Sequence, residues 1–468
     1  MPSLTAVPLP TTSAPGNDGF SGGSRLINVY ANERIVRGKK AVQLSAIHGL
    51  TRYQALAGGA IRGMIEVDGY LYVVSGVFLY LRNPAGAWSQ IGSISGSDVV
   101  YMARNRRQPV AQVGIVANTQ YYLVDNRVLL PTPVSPNLAA PIGIEVFNGR
   151  FVFPIADGRV FASEVDDGQT IYALAFGTSE TYSDYNVGIG IRGSDVCVLG
   201  TESVEFWRDT GATPWPFSVV HANPVGCLAA ASIAGINQTL VWVANDRTVR
   251  MLNGYDPVVI STNDIHEAIE AAPDRARIES LVYEHAGNKF YKISCASFTW
   301  VYNAANGFWH EEKSKGRARW RGRCSAMLGD SRLVGDSVNG ILYEISPNAY
   351  DEDGEQIVCE VHTAIDGYPY GMVVNRLFVD GQTGVGLNTT TPENLSPEIM
   401  IDVSRNGGHT WTSQRRSRLG PIGAFHTFPV AHRLGTFDGR GARLRVSCSA
   451  SVVRVFNGLS ADIEALEP

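Results

Sequence analysis

The stretch Ile144–Phe161, IEVFNGRFVFPIADGRVF, decides the fold. Apolar runs of strand length are broken by Asn148-Gly149 and Asp157-Gly158, dipeptides that supply the positive φ a tight hairpin turn needs. The unit recurs. An apolar strand, a turn and a second apolar strand can be read at Met64–Leu81, Pro109–Val124, Ser194–Trp207, Asn237–Leu252, Asn288–Tyr302 and Ser331–Ile345. Their starts lie about 35–50 residues apart, the period of a propeller blade built from four short strands. Asp68-Gly69, Asn253-Gly254 and Asn339-Gly340 repeat the turn signal. Seven hairpins are visible, and a shared closing blade would reduce the count to six. The expectation is therefore all-β: a β-propeller of six or seven blades.

Around this repeat the texture differs. Residues 1–24 are rich in Pro, Ser, Thr and Gly and nearly uncharged, so they read as an extended N-terminal arm. One helix is expected, from Ser261 to Ala272, with capping residues at its start and Pro273 at its end. Near residue 350 the acidic turn Asp351–Glu355 marks a boundary. Beyond it, longer alternating strands at Gln356–Ala364, Val374–Asp380, Glu398–Ser404 and Ala442–Phe456 read as a β-sandwich, with Leu459–Leu466 as a returning strand. The expected division is an arm over 1–24, a propeller over 25–350 and a sandwich over 351–468.

Composition limits the function. With 468 residues the chain exceeds a usual single domain. Hydrophobic residues make up 44% and charged residues only 18%, against about 25% in an average domain. That deficit fits a surface partly covered by neighbouring subunits. A net charge of −5 argues against a globally basic nucleic-acid binder. Six cysteines with no C-x-x-C pair read as buried thiols made in a reducing cytoplasm. Met1–Ser24 has neither the basic nor the apolar region of a signal peptide, and no apolar run is long enough to span a membrane.

Chemistry-bearing motifs are few. Val187–Gly193 contains a formal G-x-G-x-x-G, but it enters a strand rather than a helix, so it reads as a blade turn. His266-Glu267 opens no H-E-x-x-H, because residue 270 is Glu. No His–Cys pair has metal spacing, and neither a G-x-S-x-G elbow nor a Walker A loop occurs. No catalytic residue, cofactor or metal is expected. Ser404-x-Asn406-x-Gly408-x-x-Trp411 fits the Asp-box turn, with Asn in place of Asp. Sialidase propellers carry this turn several times, and so do propellers with no activity; here it occurs once, beyond the repeats. Lys313-Ser-Lys315-Gly-Arg317-Ala-Arg319-Trp320-Arg321-Gly-Arg323 places six cations and one Trp in eleven residues. Such a segment suits phosphates with Trp320 stacking on a base, or an acidic protein surface, or solvent. Arg104–Arg107 and Arg415–Arg418 are smaller versions.

Four stretches in order resemble one family, the packaged-DNA stabilisation or tail hub (nozzle) proteins of short-tailed bacteriophages. They are Arg25–Glu33 with Ile47–Leu50, where His48 departs from the family pattern; Gly200–Gly211 leading to Pro216-Phe217; Val241–Arg250 with Asn253–Pro257 and Ile260–Thr262; and Ser404–Trp411 with Arg418–Gly423 and His432–Gly435. The resemblance implies a non-enzymatic virion tail protein assembled in the host cytoplasm. It implies a homo-hexameric ring below the portal and its head-to-tail adaptor. That ring would close the head, retain packaged DNA and conduct it without sequence specificity, and would dock a tail needle, tailspike or tail fibre. Since tight phosphate binding would oppose sliding, the run 313–323 is read first as a protein contact, with DNA contact in the lumen kept as the alternative. Two other readings stay open on the residues alone: a carbohydrate-active or glycan-binding propeller, and a cytoplasmic propeller scaffold.

Overall fold

The computed structural model describes residues 3–16, 23–36, 39–182, 184–285, 287–412 and 414–467. The chain divides into two compact units. One comprises residues 52–297 and 321–345; the other comprises 1–51, 298–320 and 346–468.

The first unit is the propeller. Five consecutive four-stranded antiparallel sheets run through residues 61–93, 101–129, 145–178, 186–223 and 234–259, each in simple sequential strand order. The hairpin Glu279–Ser294 and the sheet over residues 322–345 follow. The innermost strands close a ring. Ile61–Val67 packs on Tyr101–Arg104, and the contact passes through Glu145–Phe147, Asn186–Arg192, Ala234–Ile236, Glu279–His285 and Gly322–Leu328, which returns to Ile61–Val67. Among the described residues this ring has seven blades.

The turns follow the sequence closely. Asp68-Gly69 (φ 53° and 81°) and Asn148-Gly149 (49° and 83°) adopt paired left-handed backbone, whose twist matches that of the flanking strands. Asn118-Thr119 and Asn237-Gln238 do the same without glycine. At Asn339-Gly340 the glycine serves a different end: a Cβ at Gly340 would lie 2.0 Å from the Leu56 carbonyl oxygen, and Leu56 N–H donates to the Gly340 carbonyl at 2.7 Å. The expected helix forms over Asn263–Ala271 and buries Ile265 and Ile269.

Between the blades lie apolar layers. Val74, Leu79 and Ile94 of blade one meet Val113, Ile115 and Val124 of blade two; Tyr121 and Leu123 meet Phe151, Phe153 and Phe161 of blade three. Blade seven closes on blade one through Leu333 and Leu342 against Ile61, Leu71 and Val73. The sheets come close enough that several strand positions tolerate no Cβ. One at Gly92 would meet Leu129 Cδ2 at 2.3 Å, one at Gly114 Ile144 Cδ1 at 2.5 Å, one at Gly177 Trp215 Nε1 at 2.5 Å, and one at Gly335 Ile61 Cγ2 at 2.4 Å.

The second unit is the sandwich. One sheet runs Val29–Val36, Lys39–Ala46, Val455–Ala465, Met372–Gly381, Val430–Phe437, with Ser3–Val7 also paired to Val455–Ala465. Within this unit the other runs Thr299–Asn303, Phe308–Glu311, Arg25–Ile27, Cys359–Ile365, Ala442–Cys448, Glu398–Ser404, Arg415–Arg418. Cys359, Val361, Thr363 and Ile365 point into the core, while Glu360, His362 and Ala364 alternate outward. A single cut at residue 350 does not coincide with these units. Arg25–Ile27 lies between Phe308–Glu311 and Cys359–Ile365, so segments 1–51 and 298–320 belong with the sandwich. The arm's described residues include the strand Ser3–Val7. The long strand expected over Ala442–Phe456 breaks at Cys448 and resumes at Val455. Between them the buried Arg454 donates to the carbonyls of Ile357 (2.6 Å) and Tyr350 (2.9 Å).

Replacing Gly335 with Ala should lower stability by about 1–3 kcal/mol through overpacking on Ile61. Gly235→Ala, where the methyl has room, should stay within about 0.5 kcal/mol. Urea midpoints compare the two, and equal midpoints would refute the close approach of blades seven and one.

Candidate functional site

The Asp-box residues are held together as a rigid turn. The strand Glu398–Ser404 delivers Ser404, whose Oγ accepts from Gly408 N–H at 2.9 Å and Asn406 N–H at 3.3 Å and donates to Asn406 Oδ1 at 2.9 Å. Asn406 Oδ1 also accepts from Thr410 N–H at 2.8 Å, and its Nδ2 donates to Thr410 Oγ1 at 2.9 Å. Gly407 (φ 70°) and Gly408 (φ 94°) take left-handed backbone that L side chains resist. Asn in place of Asp therefore keeps the acceptor and adds a donor. Trp411 lies under the Arg445 guanidinium (4.6 Å to the ring centroid) and edge-on to His362 (5.5 Å).

Cross-strand register extends this turn into a polar row that single motifs did not reveal. Arg25 opposes His362, His362 opposes Arg445, and Arg445 opposes Asp402. Arg445 Nη2 pairs with the buried Asp402 carboxylate at 3.1 Å; Arg25 donates from Nε to Glu311 Oε1 at 2.9 Å and also pairs through Nη2. The signal was present: in Ala442-Arg-Leu-Arg445 and Glu360-Val-His362, alternation places the charged residues on one face.

The basic run does not form one exposed strip. Trp320 is 2% exposed, its backbone N–H donating to Thr299 Oγ1 at 3.0 Å, so its ring cannot stack on a base. Arg321 is 4% exposed and donates to Tyr343 OH at 3.0 Å. Arg323 donates to Glu279 Oε2 at 2.9 Å. Arg319 Nε donates to the Trp320 carbonyl at 3.1 Å. Lys315 is exposed, and Lys313 and Arg317 are half-buried. Trp320, Arg321 and Arg323 are thus internal groups; an alternating basic sequence was read as a surface strip, but buried partners absorb these three.

The propeller's central cavity is lined by Arg62, Tyr101, Glu145, Ala234, Glu279 and Arg323, among others, and its volume is about 370 Å³. At about 30 Å³ each, roughly a dozen waters would fill it. A DNA duplex does not fit. Arg62 is a staple: it donates to the carbonyls of Asp98 (2.7 Å), Gly76 (2.9 Å), Ile94 (3.1 Å) and Ser95 (2.8 Å). Glu145 lines the cavity at intermediate exposure, and desolvation by the protein around it pushes its carboxyl up to about 7. Burial likewise pushes the thiols of Cys227 and Cys324 up to about 12 and that of Cys359 up to about 11, which leaves them poor nucleophiles. Among the described residues, no group of three His, Cys, Asp or Glu could hold a metal ion, and no helix is long and apolar enough to cross a membrane.

A family model described as Phage_stabilise, "Bacteriophage P22 Gp10, beta-propeller", matches residues 24–350. No curated protein matches. Among solved structures, the WD40 β-propeller domain of Doa1 aligns at 10% identity, covering 64% of this chain and 97% of that one, with a TM-score of 0.42. A catalytically inactive virginiamycin B lyase from Staphylococcus aureus aligns at 11% identity over 68% and 99% of the two chains, with a TM-score of 0.44. The Cps50 (Swd1) propeller domain of Myceliophteria thermophila aligns at 8% identity over 64% and 100%, also at 0.44.

Two measurements test these geometries. Asn406→Ala should cost about 1–2 kcal/mol by removing a multiply used acceptor, whereas Asn406→Asp should be near neutral; equal urea midpoints for the two would refute that role. Glu145 has a folded-state pKa raised from 4.5 to about 7, so its favourable contribution is complete below pH 4.5 and lost as pH rises towards 7. Glu145→Gln should therefore gain thermal stability relative to the unmodified protein between pH 5 and pH 8. A melting-temperature difference constant across that range would contradict the raised pKa.

Proposed function

Because this chain belongs to the phage stabilisation family of the P22 Gp10 β-propeller, we propose that it is the tail hub, or nozzle, of a short-tailed phage. The family makes it a structural, DNA-stabilising phage protein and a virion component. In the fuller reading, six copies assemble below the portal and its adaptor, close the filled head, retain the DNA and later form the conduit through which it leaves. Assembly takes place in the host cytoplasm, and a needle, tailspike or fibre docks on the ring.

The observation that carries this reading is the span of the family match, which takes in all seven blades. Two features support it. The cavity inside one propeller is far too small for DNA, so a conduit would have to be enclosed by several copies. The densest basic run spends Arg321 and Arg323 on internal partners, so fewer of its cations are left to grip a sliding duplex. Retention is then steric, by closure of the ring, and ejection meets little electrostatic drag.

The test is reconstitution on DNA-filled heads that lack this protein. Added protein should render the DNA nuclease-resistant, and mass photometry with the adaptor present should give a species of six times the 50.6 kDa chain. Heads that hold DNA equally well without it, or a chain that stays monomeric beside the adaptor, would overturn the proposal.

A further inference from the structure

The segment Leu419–Val430 (LGPIGAFHTFPV) contains no Asp, Glu, Lys or Arg. It nevertheless displays large apolar side chains to solvent: Ile422 is 69% exposed, Phe425 72% and Phe428 59%. Leu387 and Leu395 add to the patch. A Cβ at Gly386 would lie 2.4 Å from the Leu395 carbonyl oxygen and 3.0 Å from Ile422 N, so the three segments touch. A patch of this kind marks a contact with another protein or with a membrane.

The loop is not slack. Gly384 N–H donates to the Leu419 carbonyl at 2.8 Å, Gly423 N–H to the Gly384 carbonyl at 3.1 Å and Thr427 N–H to the Ala424 carbonyl at 3.1 Å. Thr383 Oγ1 donates to the Phe425 carbonyl at 3.2 Å, and Phe428 rests on Phe378 with centroids 5.9 Å apart. The backbone is thus ordered before any contact, and presenting the side chains carries little further entropic cost.

Charge distinguishes the two kinds of partner. The strand Arg415–Arg418 runs straight into the loop. Arg418 is exposed, and its side chain has no hydrogen bond or ion pair among the described residues; Arg416 is exposed, with its guanidinium 3.9 Å from Glu398. The Arg415 guanidinium donates to the carbonyls of His432 and Arg433. Glu393 and Glu398 are the nearby carboxylates, and Glu393 already accepts from Gln356. An uncharged apolar loop, continuous with a strand that carries two exposed arginines, matches the interface of an anionic bilayer. Phenyl rings and aliphatic chains enter the acyl boundary while guanidinium groups meet phosphates. We propose that Leu419–Val430 is a membrane-contacting tip that inserts Ile422, Phe425 and Phe428 into an anionic lipid surface, with Arg416 and Arg418 on the headgroups.

Sedimentation of the full chain with vesicles tests this. Vesicles of phosphatidylglycerol and phosphatidylcholine should bind the protein, and pure phosphatidylcholine should bind it more weakly. The double variant Ile422→Ser, Phe425→Ser should reduce binding by about tenfold or more at unchanged melting temperature. Arg416→Ser with Arg418→Ser should lose the preference for the anionic lipid. Absence of binding to either vesicle, or binding unchanged in the serine variant, overturns the proposal. So does a serine variant that loses self-association, read by mass photometry, while the parent ignores vesicles; the tip would then be a protein contact.

Discussion

Everything in the propeller depends on how closely one twisted sheet can lie against the next. A four-stranded blade buries little by itself; its apolar faces become a core only when neighbours cover both. At the tightest points the neighbour's side chain occupies the volume where a Cβ would be. Leu129 fills the space over Gly92, Ile144 over Gly114, Trp215 over Gly177, and Ile61 over Gly335. These glycines sit in strands with ordinary backbone, so conformational freedom does not explain them. They explain part of a glycine count that turns alone would not need. The same constraint disposes of the formal dinucleotide motif: Gly188 and Gly190 leave room for Ile233 and Leu240 of blade five rather than for a pyrophosphate.

The repeat was legible because each blade restates it locally. Strand, turn and strand lie within about twenty residues, and dipeptides such as Asn148-Gly149 fix the turn chemistry. The choice between six and seven blades was not local. It depends on Gly322–Leu328 packing against Ile61–Val67, a contact between the two ends of the propeller segment. The sandwich's recruitment of Arg25–Ile27 and Phe308–Glu311 was hidden for a related reason. Strands of three and four residues carry too little alternation to identify a face, and the pairings of Arg25–Ile27 with Phe308–Glu311 and Cys359–Ile365 span hundreds of residues. The turn at Ser404–Trp411 stood at the other extreme, since its bonds span four residues or fewer.

The basic run shows where charge counting fails. A cluster of arginines suggests a surface, because an unpaired buried guanidinium is very costly. The inference breaks when the fold supplies oxygen atoms in the right places, and this fold does so repeatedly. Arg62 has four carbonyls, Arg454 has two, Arg321 has a tyrosine hydroxyl, and Arg323 and Arg445 have carboxylates. These bonds join segments from 14 to 104 residues apart in sequence. Arginine here acts largely as a cross-link within each unit.

That use of arginine bears on how such a protein could handle DNA. Every phosphate neutralised by a surface cation adds to affinity through counterion release, and a duplex that must slide would have to break those contacts at each step. A chain with 18% charged residues, an acidic net balance and several of its arginines turned inward offers few such contacts. A tail hub that held packaged DNA without binding it tightly would need a rigid barrier, and interlocked blades whose contacts leave no room for an extra methyl group would supply one. In the proposed tail-hub role, stiffness of the propeller would resist pressure, and a low share of charged residues would let the duplex move once the barrier opened.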